Sequence, residues 1–304
     1  MGQRRPRPLA KLFLLLPWWG IATEGCDRAA PPAAPIAAAQ PTVVSLVPAA
    51  TDLIVGMDAA DHLIGVSNYD QNPQVSRLSR VGDYLTTDWE RITELHPQLI
   101  LTQYAPGRTP AGFEEHVLAL GSEQENLHIE RLNDIYAALT QLGDICNENQ
   151  KAADAAERLH RQMQNIRDRV SHVPIVPALI VVDETGQDAA GPGNYLDDLL
   201  TVAGGRNVLD PASPAWPTLD RETILRLAPQ VIVQLLPGAS SQVQAQAMQD
   251  WNALPDVPAV RDHRIVQLTG PEVLMPGYHV GDLAEQFAAA LHPEISTTQP
   301  AVQP

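Results

Sequence analysis

Cysteine, aromatic side chains and positive charge are all in short supply in this chain. There are 2 cysteines in 304 residues, too few for a disulfide-built scaffold. Aromatic residues make up 5%. Lys and Arg number 20 against 36 Asp and Glu, giving a formal net charge of −16. Phosphate backbones repel such a surface, so nucleic acid is excluded as a partner. The chain has no G-x-S-x-G elbow, no phosphate-binding P-loop, no G-x-G-x-x-G turn and no H-E-x-x-H pair. "GPGN" at 191–194 is a Gly-Pro turn opening a helix. Asp52 and Asp83 have no nucleophile or second carboxylate paired with them in the sequence. The reading is therefore of a protein that is not an enzyme. What remains is 44% hydrophobic and 18% charged, a balance that can build a core.

The basic residues that do cluster lie at the start. Arg4, Arg5, Arg7 and Lys11 precede a short apolar run, Leu12 to Ile21, which is too short to span a bilayer. A positive flank and a short apolar core read as an export signal over 1–25. Cys26 follows in "ATEGC" and resembles a lipoprotein processing site, with cleavage near Ala37 to Ala39 as the alternative. Residues 26–41, rich in Ala and Pro, are expected to form a tether rather than a fold. The protein is thus expected outside the cytoplasm, held to the membrane only by a lipid at Cys26. Cys146, in "LGDICNEN", reads as a small buried apolar residue, and a disulfide with Cys26 is the other option.

The body alternates strands and helices. "VVSLV" (43–47) and "HLIGVS" are buried strands, and "PAATDLIVGM" between them is a helix. "DWERITELHPQLILT" reads as a helix capped by Asp88, a stop at His96-Pro97 and a strand. "LHIERL" (127–132) is expected to be a further strand, followed by a helix over 133–145. From Asn147 to His172 there is no Gly or Pro. That stretch of about 26 residues predicts a rod of roughly 39 Å. The pattern then restarts with "ALIVVD", "GNYLDDLLTVAGG", "LDRETILRLAPQVIVQ", "SSQVQAQAMQDWNAL", "RIVQL" and "HVGDLAEQFAAALHP". A shift of 132 residues aligns Glu90 with Glu222, Leu95 with Leu227 and Pro97-Gln98 with Pro229-Gln230. The fold class is therefore α/β, with two lobes, each around a mostly parallel sheet, joined by one long rigid helix. The predicted boundaries are a first lobe over 42–145, a connecting helix over 146–173, a second lobe over 174–293 and a disordered tail over 294–304.

Five phrases carry a resemblance: "VVSLVPAATDLIVGM", "LIGVSNYDQNP", "RVGDY" with "DWERITELHPQLIL", "YLDDLLTVAGGRNVL" and "WPTLDRETILRLAPQVIV". Together they resemble the helical-backbone substrate-binding proteins of ABC importers for vitamin B12, ferric siderophores and haem, over 42–292. That resemblance implies a ligand between the lobes and a monomeric receptor. It also implies delivery to a dimeric permease driven by a cytoplasmic ATPase. The likeness is greatest to the vitamin B12 binders, which makes cobalamin the leading ligand and a ferric siderophore or haem the alternative. It places Pro48 and Ala49 in the cleft, with Tyr69, Tyr84 and Trp216 flanking the ligand. It also matches Glu90 and Glu222 to the two carboxylates that dock on the permease. Tyr84 stands where a tryptophan is usual, and "PEVLMPGYHVGD" has Tyr278 and His279 where an arginine is often found.

The residues themselves support part of this. Tyr69, Tyr84 and Trp216 stand in predicted loops at strand ends, beside Asn, Gly or Pro, rather than in periodic core runs. Loops at the carboxyl ends of parallel strands are where such sheets bind ligands. Glu90 and Glu222 sit in the first turns of their helices, where complementing the helix dipole is the competing role. His279 follows the loop "MPGYH" and is a candidate ligand for cobalt or iron, or else a surface residue at a helix start. His62, His96, His116, His160 and His172 are expected to be solvated. Three convergent imidazoles would instead mark a metal-ion receptor, and a receptor without a permease would be a sensor.

Overall fold

The computed structural model describes residues 40–83 and 85–296. The leader, Cys26, nearly all of the tether, Tyr84 and residues 297–304 lie outside the described residues. Nothing in the structure bears on the lipid anchor or on a Cys26–Cys146 bond.

The first sheet contains β1 (Val43–Ser45), β2 (Leu63–Val66), β3 (Ser79–Arg80), β4 (Leu99–Thr102) and β5 (Glu123–Asn126). Their order is β3-β2-β1-β4-β5, and every pairing is parallel. The apolar runs of β1 and β4 fill its buried centre. Around it lie α1 (Pro48–Gly56), α2 (Trp89–Leu95), α3 (Phe113–Leu120) and α4 (Leu132–Cys146). Then α5 (Asn149–Val170) leads to the second sheet. It comprises β6 (Val176–Val181), β7 (Ala189–Ala190), β8 (Gly205–Asn207), β9 (Val231–Leu235) and β10 (Ile265–Leu268). Strand β6 has β9 along one edge. On its other edge β8 pairs with its first half in parallel and β7 with its end in antiparallel. The remaining helices are α6 (Tyr195–Val202), α7 (Arg221–Leu227), α8 (Ser241–Trp251), α9 (Pro258–Arg261), α10 (Val280–Leu291) and α11 (Pro293–Ser296).

The repeated phrase occupies the same place in both sheets. Asp88 caps α2 by accepting the Arg91 amide at 3.0 Å, and Asp220 caps α7 by accepting the Thr223 amide at 2.7 Å. Each helix ends in a left-handed residue, His96 (φ 49°) or Ala228 (φ 46°), followed by proline. Proline disfavours helical geometry in the residue before it, so both helices stop at the same step. Strands β4 and β9 then pair with β1 and β6.

Three expectations need correction. The strand expected over 127–132 lies earlier, at β5, and 127–131 is a loop. β5 is a polar edge strand, "EQEN", so no apolar run announces it. The rod expected from Asn147 to His172 begins two residues later, because Asn147 takes a left-handed conformation (φ 57°) and separates α4 from α5. The predicted tail starts inside α11, where Ile295 packs against the core.

The stripe Ala152, Ala155, Leu159, Met163, Ile166 and Val170 runs down one face of α5 and is buried. Its spacing of three and four residues is that of a helix face meeting a core. The same hydrophobic cluster takes in α1 and α4 on one side and α6 and α10 on the other, so α5 is bonded into both halves. Gly143 lets α4 approach α5 closely: a Cβ there would lie 2.4 Å from that of Ala152. Alanine would gain about 1 kcal/mol of helix propensity, but overpacking costs about 1–3 kcal/mol. Gly143→Ala is therefore expected to lower the unfolding free energy measured with urea. Unchanged or raised stability would show that the two helices separate freely.

Candidate functional site

The carboxyl ends of the parallel strands lead into the loops that line a cleft between the two sheets. On the first side, Ser45 at the end of β1 donates to the Val47 carbonyl at 2.9 Å, turning the chain into α1. Pro48 takes the first position of α1, where its missing amide costs nothing. Pro48 and Ala49 line the cleft. After β2, Asp70 fastens the next loop to α1 by accepting the Thr51 hydroxyl at 3.1 Å and the Ser67 amide at 3.0 Å. Burial pushes the Asp70 carboxyl up to about 6, against the pull of those hydrogen bonds and of Arg80. The neighbouring Tyr69 is 66% exposed and faces the same space.

The opposite wall is the segment between β10 and α10. Glu272, Leu274, Met275, Pro276 and His279 line a cavity of about 660 Å³ together with the first-side residues. A second cavity of about 510 Å³ shares Leu274 and Pro276 with the first and extends to Ile129, Tyr195 and Trp216. The two are neighbouring parts of one cleft, with the 274–276 turn as the ridge between them. Trp216 is 53% exposed. Its loop is held from below by Asn194, which donates to the carbonyls of Ala215 (2.8 Å) and Gly191 (3.0 Å). Gly191 is required here because a Cβ would lie 2.1 Å from the Pro214 carbonyl.

The two walls meet at Asp52 and His279. Asp52, on α1, is almost fully buried and accepts the His279 amide at 3.0 Å, while its other carboxylate oxygen contacts Nδ1 of the imidazole. Gly277 permits this approach, since a Cβ there would lie 2.3 Å from Asp52 Oδ2. Two arginines brace the same junction. Arg158 on α5 donates to the Gly56 carbonyl (2.9 Å) and the Tyr278 hydroxyl (3.0 Å). Arg131 forms a two-pronged pair with Asp198 on α6, which also accepts the Leu132 amide at 3.0 Å.

Of the residues singled out from sequence, Pro48, Ala49, Tyr69 and His279 line the first cavity and Trp216 lines the second, while Tyr84 lies outside the described residues. Glu90 and Glu222 are exposed, each at the second position of its helix, away from both cavities. His62 is not solvated: it is buried, with Nδ1 2.9 Å from the Pro41 carbonyl and Nε2 facing Glu148. Asp83 shapes a turn by accepting the amides of Leu85 and Thr86. Asp70, Gln71, Gln103, Glu272 and Met275 also line the cleft, and no sequence pattern announces them beyond the adjacency of Asp70 to Tyr69 in "NYD". The imidazole in the cavity is His279, and among the described residues no three His, Cys, Asp or Glu side chains converge as a metal site.

Residues 43–271 match the family of periplasmic binding proteins, and the chain belongs to that family. The vitamin B12-binding protein of Photorhabdus laumondii is 27% identical over 203 residues, covering 66% of this chain and 72% of that one. Two solved structures share the fold. The periplasmic vitamin B12 binding protein BtuF of Vibrio cholerae superposes with a TM-score of 0.68 at 23% identity, covering 86% of this chain and 99% of its own. A periplasmic haem-binding protein of Pseudomonas aeruginosa gives 0.72 at 22%, covering 84% and 93%. No helix among the described residues is long and apolar enough to cross a membrane.

The Asp52 hydrogen bond holds the His279 imidazole above its ordinary value, with Asp282 and Glu272 adding to the effect and burial opposing it. A raised histidine value stabilises the fold fully below the unfolded value of about 6.5 and less as pH rises through the folded one. The stability lost in His279→Gln, measured by urea unfolding, is therefore expected to be larger at pH 6 than at pH 8.5. A loss independent of pH would remove the ionic part of the pair.

Proposed function

We propose that the chain is the extracytoplasmic receptor of an ABC importer, capturing a corrinoid between its two lobes and delivering it to a dimeric permease. The observation that carries this is the cleft itself. Its walls are largely apolar and come from both sheets, and two aromatic rings, Tyr69 and Trp216, stand mostly in water on either side. Exposed rings on firmly held loops suit a broad, rigid ligand, which removes them from water and stacks on them, worth about 0.5–1.5 kcal/mol per ring pair beyond burial. His279, with Nδ1 turned to Asp52, can offer Nε2 to the metal of a bound chelate on losing the Nε2 proton, the arrangement that carboxylate-backed imidazoles provide. A ferric siderophore or haem receptor is the second reading, favoured by the shared fold with a haem-binding protein. Lipid attachment at Cys26 completes the proposal by keeping the receptor near its permease.

Delivery rests on Glu90 and Glu222. Capping of α2 and α7 is already done by Asp88 and Asp220, so neither glutamate is needed for it. Both carboxylates are exposed and form no ion pair among the described residues. Two like carboxylates at equivalent turns fit a dimeric partner that offers the same basic pocket twice.

Calorimetric titration with cyanocobalamin, with haemin and a cationic ferric trihydroxamate in parallel, is expected to give one-to-one corrinoid binding. Trp216→Ala should weaken it by at least about 2- to 12-fold, the share of the stacking alone, with the lost burial adding to it. A response to an iron chelate alone would replace the corrinoid while keeping the receptor. Glu90→Ala with Glu222→Ala is expected to leave that affinity unchanged and to lower uptake in cells. Parallel loss of ligand binding would remove the docking role.

A further inference from the structure

The charged groups facing the first cavity are Asp52, Asp70 and Glu272, with His279 as the counter-group already engaged by Asp52; Glu130 faces the second. Among the described residues no Lys or Arg lines either cavity, and three guanidinium groups on flanking elements are held by other partners. Arg80 donates to the Ser67 carbonyl at 3.0 Å, Arg131 is held by Asp198, and Arg158 by Tyr278 and Gly56. A free carboxylate brought into this cleft would lose water and gain no cationic partner, while meeting Glu272 and Asp70 across an apolar wall. The whole chain, at net −16, adds a field of the same sign. A ligand edged by amides meets none of this cost. Amides can pair with Gln71, Asn72 and Gln103, whose uncharged polar side chains belong to the same lining.

We propose that the cleft selects its ligand by charge, accepting neutral or cationic metal chelates with an amide periphery and rejecting chelates of similar size that bear free carboxylates or catecholates. This rests on the receptor reading above and narrows it, because it separates an amide-edged corrinoid from a tetrapyrrole carrying propionates. Glu272 is the main discriminator: it is partly exposed to the cavity, and its carboxylate has no hydrogen bond or ion pair among the described residues. Asp70 is committed to Thr51 and Ser67.

The test is a titration at pH 7.5 of the purified protein with cyanocobalamin and with its tricarboxylate made by mild acid hydrolysis of the side-chain amides. Two iron chelates run beside them, a cationic ferric trihydroxamate and a trianionic ferric tricatecholate. The tricarboxylate is expected to bind at least tenfold more weakly than the parent, and Glu272→Gln should narrow that ratio at least threefold. Equal binding of parent and tricarboxylate, or a ratio unmoved in Glu272→Gln, overturns the proposal. If cyanocobalamin does not bind but the trihydroxamate binds better than the tricatecholate, the corrinoid reading fails and charge selection stands. Preference for the tricatecholate overturns charge selection whichever ligand is native.

Discussion

The packing of α5 against both halves of the molecule is the constraint on which the cleft depends. One buried stripe along this helix joins a single hydrophobic cluster that reaches α1 and α4 on one side and α6 and α10 on the other. A close-packed interior resists sliding, because each shift opens voids or forces overlap. The helix also carries Arg158, which holds the end of α1 and the Tyr278 ring together. With the halves fixed from behind, the loops at the strand ends can stay open toward a ligand.

The cleft follows from strand direction. Parallel strands all end on one side, so their loops gather there, and a chain that builds such a sheet twice gathers two sets of loops facing each other. The first set supplies Pro48, Ala49 and Tyr69; the second supplies Glu272, His279 and Trp216. Small residues let the two sets approach closely. Gly277 admits Asp52 against the backbone of His279, and Gly56 leaves room for the Tyr278 ring. That contact closes the floor of the cleft while the aromatic rings remain exposed at its sides.

A division of labour between acidic groups runs through the molecule. Asp88 and Asp220 cap helices, Asp70 and Asp83 shape loops, and Asp52 and Asp198 join the halves. These carboxylates are consumed by hydrogen bonds. Glu90, Glu222 and Glu272 have no hydrogen bond or ion pair to their carboxylates among the described residues, the first two on helix starts and the third in the cavity, and it is these that the proposed docking and selectivity use.

Much of the architecture was legible in the chain itself. The apolar runs of β1, β4, β6 and β9 and the repeat that carries Glu90 and Glu222 are local patterns, set by side-chain burial and by the Asp cap and proline stop of each repeat. The polar edge strand β5, the two-residue β3 and β7, and the burial of His62 carried no such signal, because neighbours distant in sequence create them. Local pattern is enough to specify two equivalent α/β halves, the helix between them and the aromatic residues at strand ends. Which groups share the cleft depends on long-range packing. Asp52 and His279 are 227 residues apart, and nothing local to either specifies the other. Their meeting requires both sheets to be folded and α5 to hold them in register.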